Sequence, residues 1–181
     1  MSRVRLVSGK FGGRFIATPP GNSTHPMSER ARSAIFNMLG SEVIDSKVLD
    51  AFAGSGAVGL EALSRGASHA TFIEKHRVAS KIISENINLL GVDNSSKVIV
   101  TSVNNWLETA DSPKFDIIFA DPPYHNEQLS TVKKLMGLLK VGGCMVLSNS
   151  GRGGILEETG IVVVDNRSYS NAYITLYRRD S

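Results

Sequence analysis

The sequence predicts an α/β protein: a mostly parallel seven-stranded sheet with helices on both faces and an antiparallel C-terminal hairpin, preceded by a small N-terminal β-hairpin and one helix. Three observations carry this. From Lys47 onward, short apolar runs alternate with stretches of helical periodicity, as they must when parallel strands are joined by helical crossovers. The last two apolar runs are separated only by the polar residues 165–171, too few for a crossover, so they read as an antiparallel hairpin at one sheet edge. Ahead of Lys47, two alternating segments flank a glycine-rich stretch.

Residues 4–8 alternate, three glycines fall between Gly9 and Gly13, and residues 14–18 alternate again, giving the first hairpin. Pro19-Pro20-Gly21-Asn22 ends it. Ser28 then precedes a helix over residues 29–39, with Ala31, Ile35, Phe36 and Leu39 on one face. Strands are predicted at 48–52, 70–73, 97–101, 115–120, 143–148, 161–164 and 172–177. Helices are predicted at 58–65, 78–90 and 127–139, with a weaker pattern at 104–109. The expected organisation is a basic extension over residues 1–40 and a larger body over 41–181.

Composition excludes several classes. The chain has 181 residues, 41% hydrophobic and 20% charged, which disfavours disorder, collagen and coiled coil. Its one cysteine, Cys144, allows neither an internal disulfide nor a cysteine zinc site, and its apolar strand-like surroundings suggest a packed thiol. His25, His69, His76 and His125 have no metal-ligand spacing, so no metal is expected. Neither a secretion signal nor an apolar run of ~20 residues is visible, so a cytoplasmic protein without a membrane partner is expected. Of the net charge of +3, the first 40 residues carry an excess of five, from Arg3, Arg5, Lys10, Arg14, Arg30 and Arg32 against Glu29 alone. Such an arm suits a polyanion. If all five charges met phosphates, log affinity against log salt would have a slope of roughly −3.5 to −4.5.

Two motifs fall where open parallel sheets bind ligands, just after strand ends. In Asp50-Ala51-Phe52-Ala53-Gly54-Ser55-Gly56-Ala57-Val58-Gly59, three glycines at G-x-G-x-x-G spacing lie between a strand and a helix. Oxidoreductases hold a pyrophosphate on such a turn, but Asp50 just ahead of the glycines would repel one. A carboxylate there suits a cationic ligand, such as the amino-acid end or sulfonium of S-adenosylmethionine. Otherwise Asp50 is a helix cap. Glu74 ends the next strand and can accept both hydroxyls of a ribose. The second motif is Asp121-Pro122-Pro123-Tyr124, after the strand at 115–120. Two prolines make a stiff turn without amide donors, so the turn presents acceptors. Acceptors suit an exocyclic amine, whose lone pair is delocalised until both N–H bonds are held. The Asp121 carboxylate and Pro122 carbonyl are the candidates, with Tyr124 able to stack on a base. The motif alone leaves open guanine N2, adenine N6, cytosine N4 and a protein glutamine amide.

These residues carry a resemblance. The segment from Asp50 to Gly56 resembles motif I of Rossmann-like S-adenosylmethionine-dependent methyltransferases, and Asp121 to Tyr124 resembles the turn of their amino-methylating members. Over its whole length the chain is similar to the bacterial 16S ribosomal RNA guanine-N2 methyltransferase family. The marks are Arg3 with Gly9-Lys10, Arg14, Pro26 with Arg30 and Arg32 before Phe36-Asn37, and Gly59-Leu60-Glu61-Ala62-Leu63-Ser64-Arg65-Gly66. The resemblance implies methyl transfer to N2 of one guanine in 16S rRNA, with S-adenosylhomocysteine as coproduct and the small ribosomal subunit or its assembly intermediate as partner. A monomer is expected. Asp50, Phe52, Ala53, Gly54, Ser55, Gly56, Glu74, Lys75, Ser102 and Val103 would bind the cofactor, and Asp121, Pro122, Pro123 and Tyr124 the reacting base. Arg3, Lys10, Arg14, His25, Arg30 and Arg32 would bind RNA. The chain departs from the pattern with His25 for an arginine, Glu29 for an aspartate, Ser33 for a glutamate, and Ser102 for the acid that commonly meets the adenine amine. Ser148-Asn149-Ser150 also lacks the acid expected after the fifth strand of the body. Trp106 would either flank the adenine or pack in the core, and His125 is a candidate for the released proton.

Overall fold

The computed structural model describes residues 2–20, 27–109, 111, 113–123, 128–150, 154–169 and 172–181. His25, Tyr124 and His125 lie outside the described residues. The chain opens with β1 (Arg3–Arg5) and β2 (Phe15–Ala17), paired antiparallel. Then comes α1 (Glu29–Leu39), where the Ser28 hydroxyl accepts the Ala31 amide at 3.2 Å as its N-cap. The body follows as β3 (Lys47–Asp50), α2 (Ala57–Ser64), β4 (His69–Glu74), α3 (Arg77–Leu90), β5 (Ser96–Val100), α4 (Val103–Thr109), β6 (Phe115–Ala120), α5 (Leu129–Met136), β7 (Leu139–Asn149), β8 (Ile161–Tyr169) and β9 (Ala172–Arg179).

The body strands form one sheet in the order β5-β4-β3-β6-β7-β9-β8. The first four contacts are parallel, and β9 runs antiparallel to both β7 and β8. Side chains alternate between faces along each strand. Val48, Ile117, Phe119, Cys144 and Val146 join one buried cluster with α1, α2, α3 and the N-terminal hairpin. Leu49, Ile118, Ala120, Met145 and Leu147 join the other with α4 and α5. Order reverses between β3 and β6, which opens a cleft at their carboxyl ends.

Among the predicted boundaries that move, two change the type of an element's end. Residues 165–169, read as a turn, are strand, because Asp165 to Tyr169 continue the ladder with β9 past a bulge after Val163. Their polarity reflects an exposed edge rather than a reversal; Asp165 and Arg167 pair at 2.8 Å along it. Leu139, read as helix, begins β7, since α5 stops at Met136 before Gly137. Cys144 is a buried thiol as expected; it donates to Glu42 at 3.3 Å, and burial pushes it up to about 12. Trp106 packs in the core against Phe115, ring centroids 6.4 Å apart.

The first 40 residues share their core with the sheet. Leu6, Phe11 and Ile16 are buried with Ile35, Phe36 and Leu60. Polar contacts fix the register: buried Glu61 on α2 accepts the amides of Val7 at 2.7 Å and Ser8 at 3.0 Å. The Ser64 hydroxyl accepts from the Phe11 amide and donates to the Ser8 carbonyl, and the Lys10 amide donates to the Ser64 carbonyl at 2.7 Å. Gly9, at φ +81°, sits so close that a Cβ there would lie 1.9 Å from the Ser64 oxygen.

Candidate active site

The cleft at the strand ends has a volume of about 1440 Å³. That exceeds what one cofactor-sized ligand needs, for which roughly 300 to 1,000 Å³ is usual. Its floor is built by strand ends in register. Asp50 ends β3, Glu74 ends β4 and Asp121 follows β6, and all three carboxyls line the cleft.

The glycine turn forms one wall. Gly54 (φ +55°) and Gly56 (φ +78°) occupy the left-handed region, which a side chain would strain. The Gly54 amide donates to Glu74 Oε2 at 2.9 Å, while the His76 amide donates to Oε1 at 2.8 Å, so Glu74 is clamped by backbone on both oxygens. Phe52, Ala53, Gly54 and Ser55 line the cleft; Gly56 lies beneath it as the N-cap of α2, against Ile83 and Phe72. Gly59 has a different task from the other two. A Cβ on it would lie 2.3 Å from the Phe72 ring, so it lets α2 press onto β4. Its amide donates to Asp50 Oδ2 at 3.0 Å. Asp50 thus both caps the first turn of α2 and faces the cleft, which joins the two roles that its sequence context left as alternatives.

The adenine side of the predicted site lies after β5. Ser102 lines the cleft and its hydroxyl accepts the Asn105 amide at 3.2 Å, capping α4, while Val103 starts that helix. Lys75, exposed, lines the cleft beyond Glu74.

Asp121, Pro122 and Pro123 line the same cleft as the glycine turn, from the end of the neighbouring strand β6; Tyr124 is outside the described residues. Asp121 keeps partial access through the cleft but is otherwise surrounded by protein. Burial pushes its carboxyl up to about 6, against a hydrogen bond from the Ser148 hydroxyl that favours the charged form. Asp50 is pushed further, to about 7, by burial; the Gly59 amide opposes this and the Asp121 and Glu74 charges add to it. Among the described residues no group of three or more His, Cys, Asp or Glu side chains is arranged to hold a metal ion.

The RNA candidates divide. Arg3, Lys10 and Arg14 are exposed on the hairpin, with Lys10 and Arg14 resting over the Phe11 ring at 5.4 and 5.8 Å. Arg30 is exposed and lines the cleft. Arg32 is not a surface cation. It is 0% exposed, donates to the carbonyls of Met27 and Arg5, and lies near Glu61, so it ties α1 to β1 instead of meeting RNA. Arg5 is paired with Glu29 at 2.8 Å. The sequence reading missed Ser148, whose partner is 27 positions away, and Ser168 and Tyr169, which line the cleft from the stretch expected to be a turn. Ser148 comes into view only with the register, in which Ala120 pairs Leu147.

The strand order, the glycine turn and the Asp-Pro-Pro turn define a Rossmann-like methyltransferase. Within that class the chain belongs to the family described as conserved hypothetical protein 95, which matches residues 4–178. It is 35% identical over 134 residues to the ribosomal RNA small subunit methyltransferase D of Escherichia coli, covering 74% of this chain and 67% of that protein. The protein of the same name from Buchnera aphidicola subsp. Acyrthosiphon pisum is 34% identical over 139 residues, 77% of this chain and 71% of that one. The solved structure of the yhhF protein of Escherichia coli superposes with a TM-score of 0.88 at 28% identity over 99% of both chains.

Proposed function

We propose that the chain transfers a methyl group from S-adenosylmethionine to the exocyclic N2 of a guanine in 16S rRNA, acting on the small ribosomal subunit or an assembly intermediate. The observation that carries the reading is that Asp121-Pro122-Pro123 and the glycine turn line one cleft, from the ends of neighbouring strands. The relatives named for small-subunit rRNA methylation support ribosomal RNA as the substrate.

The cleft suits the cofactor chemically. Its floor is acidic, and burial with neighbouring carboxyls raises Asp50 to about 7, a shift that a cation beside it would relieve. Asp50, Phe52, Ala53, Gly54 and Ser55 would hold the methionine part, Glu74 and Lys75 the ribose, and Ser102 and Val103 the adenine; Gly56 supports the turn from below. Bound there, S-adenosylmethionine supplies a methyl group on a positively charged sulfur.

The rest is positioning. The Asp121 carboxylate and the Pro122 carbonyl accept the two N–H bonds of the guanine amine, which favours the pyramidal nitrogen with its lone pair turned into the cleft. As the N–C bond would form, the methyl–sulfur bond would break with its electron pair going to sulfur, leaving S-adenosylhomocysteine; the amine proton is then acidic, and Asp121 or water takes it. Orientation of this kind is worth several kcal/mol of barrier without a covalent intermediate. Tyr124 stacks on the base, and Arg3, Lys10, Arg14 and Arg30 hold flanking phosphates. The guanine must leave its stack, at a cost of a few kcal/mol.

The test is transfer of radiolabelled methyl to isolated small subunits, followed by nucleoside analysis. N2-methylguanine is expected from the wild type. Asp121→Ala should lower the rate by about a thousandfold with S-adenosylhomocysteine affinity unchanged. Near-normal turnover in that variant removes Asp121 from the mechanism, and a different methylated nucleoside overturns the acceptor.

A further inference from the structure

Ser148 is the penultimate residue of β7, at the place where the neighbouring strand β6 delivers a residue of the Asp-Pro-Pro turn. The parallel register pairs Phe119 with Val146 and Ala120 with Leu147. One step on, Asp121 and Ser148 stand side by side. Side-chain alternation puts them on the face of Phe119 and Val146, and all four line the cleft. Ser148 is 2% exposed, and its backbone is held on its other side by the pairing with Ile174 of β9. Its hydroxyl hydrogen-bonds the Asp121 carboxylate. The position is therefore rigid, buried and already engaged with the acidic residue of the turn.

We propose that Ser148 is a positioning residue for the methyl transfer, its hydroxyl donating to one Asp121 oxygen so that the other faces the acceptor amine. The inference rests on the reading that Asp121 holds that amine. A carboxylate anchored at neither oxygen swivels about its terminal torsion, which is broad and roughly two-fold. A donor at one oxygen fixes the plane. The same bond favours the ionised carboxylate, the form whose free oxygen only accepts, in surroundings whose burial favours the neutral one. Other charged groups face the cleft: Asp50 from β3, Glu74, Lys75 and His76 from the end of β4, and Arg30 from α1. The residues contributed by α4 and α5 are uncharged. Ser148 thus offsets burial at Asp121 directly.

The test uses the full chain with S-adenosylhomocysteine bound and aspartate carboxyl carbons labelled with 13C, Asp121 being assigned by Asp121→Asn. In Ser148→Ala the Asp121 midpoint should rise by about one pH unit, the worth of a hydrogen bond to a charged group. The acid limb of kcat on small subunits should move with it. Well below both midpoints kcat should fall about tenfold, narrowing to about twofold at pH 7, with KM for S-adenosylmethionine within twofold. Ser148→Thr should restore both, and Ser148→Val, its isostere without the hydroxyl, should not. An unmoved midpoint in a variant that still binds S-adenosylhomocysteine overturns the proposal, as does equal behaviour of the Thr and Val variants. If the wild type methylates no small subunits, the proposed reaction fails instead, and the Asp121 midpoints still decide whether Ser148 holds that carboxyl.

Discussion

Asp50 is the residue whose charge state the fold contests most openly. Its folded value, about 7, lies above the ordinary carboxylate range. A carboxyl raised on folding favours the folded state at low pH, and that contribution is lost as pH climbs through the folded value. Asp50 and Asp121 together should therefore make the ligand-free protein less stable as pH rises from about 4 to 7. Cofactor binding has the opposite sign: a cation prefers ionised Asp50, so affinity should rise with pH through 7, and binding at pH 6.5 should release a proton. Calorimetric titration with S-adenosylhomocysteine in two buffers of different ionisation enthalpy measures that release. It should vanish in Asp50→Asn, and a wild type that releases none shows that Asp50 does not meet the ligand's cation. At this scale the glycine turn and Asp-Pro-Pro were legible because each motif is contiguous and its chemistry follows from residue type. Arg32 was not, since a cation's burial depends on which carbonyls from elsewhere close around it.

At the level of elements, α2 links the two ends of the machine. Its first turn is held by Asp50 through Gly59, and its last turns hold the N-terminal hairpin through Glu61 and Ser64. A side chain at Gly9 cannot fit against Ser64, so Gly9→Ala should lift the hairpin and carry Lys10 and Arg14 with it. Affinity for small subunits should fall about tenfold, or ~1.4 kcal/mol, with S-adenosylhomocysteine affinity unchanged. Unchanged RNA affinity would remove the hairpin from the interface. Helix α1 was readable to the residue because Ser28 and the spacing of Ala31, Ile35, Phe36 and Leu39 are local signals. The edge strand β8 was not, because polar residues on an exposed strand have the same composition as a turn.

For the whole molecule the question is how many cations remain for RNA. Arg32 is buried and Arg5 is matched by Glu29, leaving Arg3, Lys10, Arg14 and Arg30 exposed. The slope of log affinity against log salt should accordingly be roughly −3 to −3.5 instead of the steeper value suggested by the sequence alone. Binding isotherms on small subunits across a salt series check this, and a flat response discards the arm. The shared core of arm and sheet also implies one cooperative unfolding transition, since Leu6, Phe11 and Ile16 cannot leave without exposing Ile35 and Leu60.

Taken by itself, the sequence determined which elements form, that the sheet is largely parallel, and that a glycine turn and an acceptor-rich proline turn stand at strand ends. Periodicity, capping and motif chemistry are local, and they act before distant parts of the chain meet. Only the tertiary structure decided that Ser148 adjoins Asp121, that Asp50 caps α2 while facing the cleft, and that Glu61 and Arg32 bind the arm to the body. Those facts depend on strand register and on burial, which many distant residues set together and no single stretch encodes.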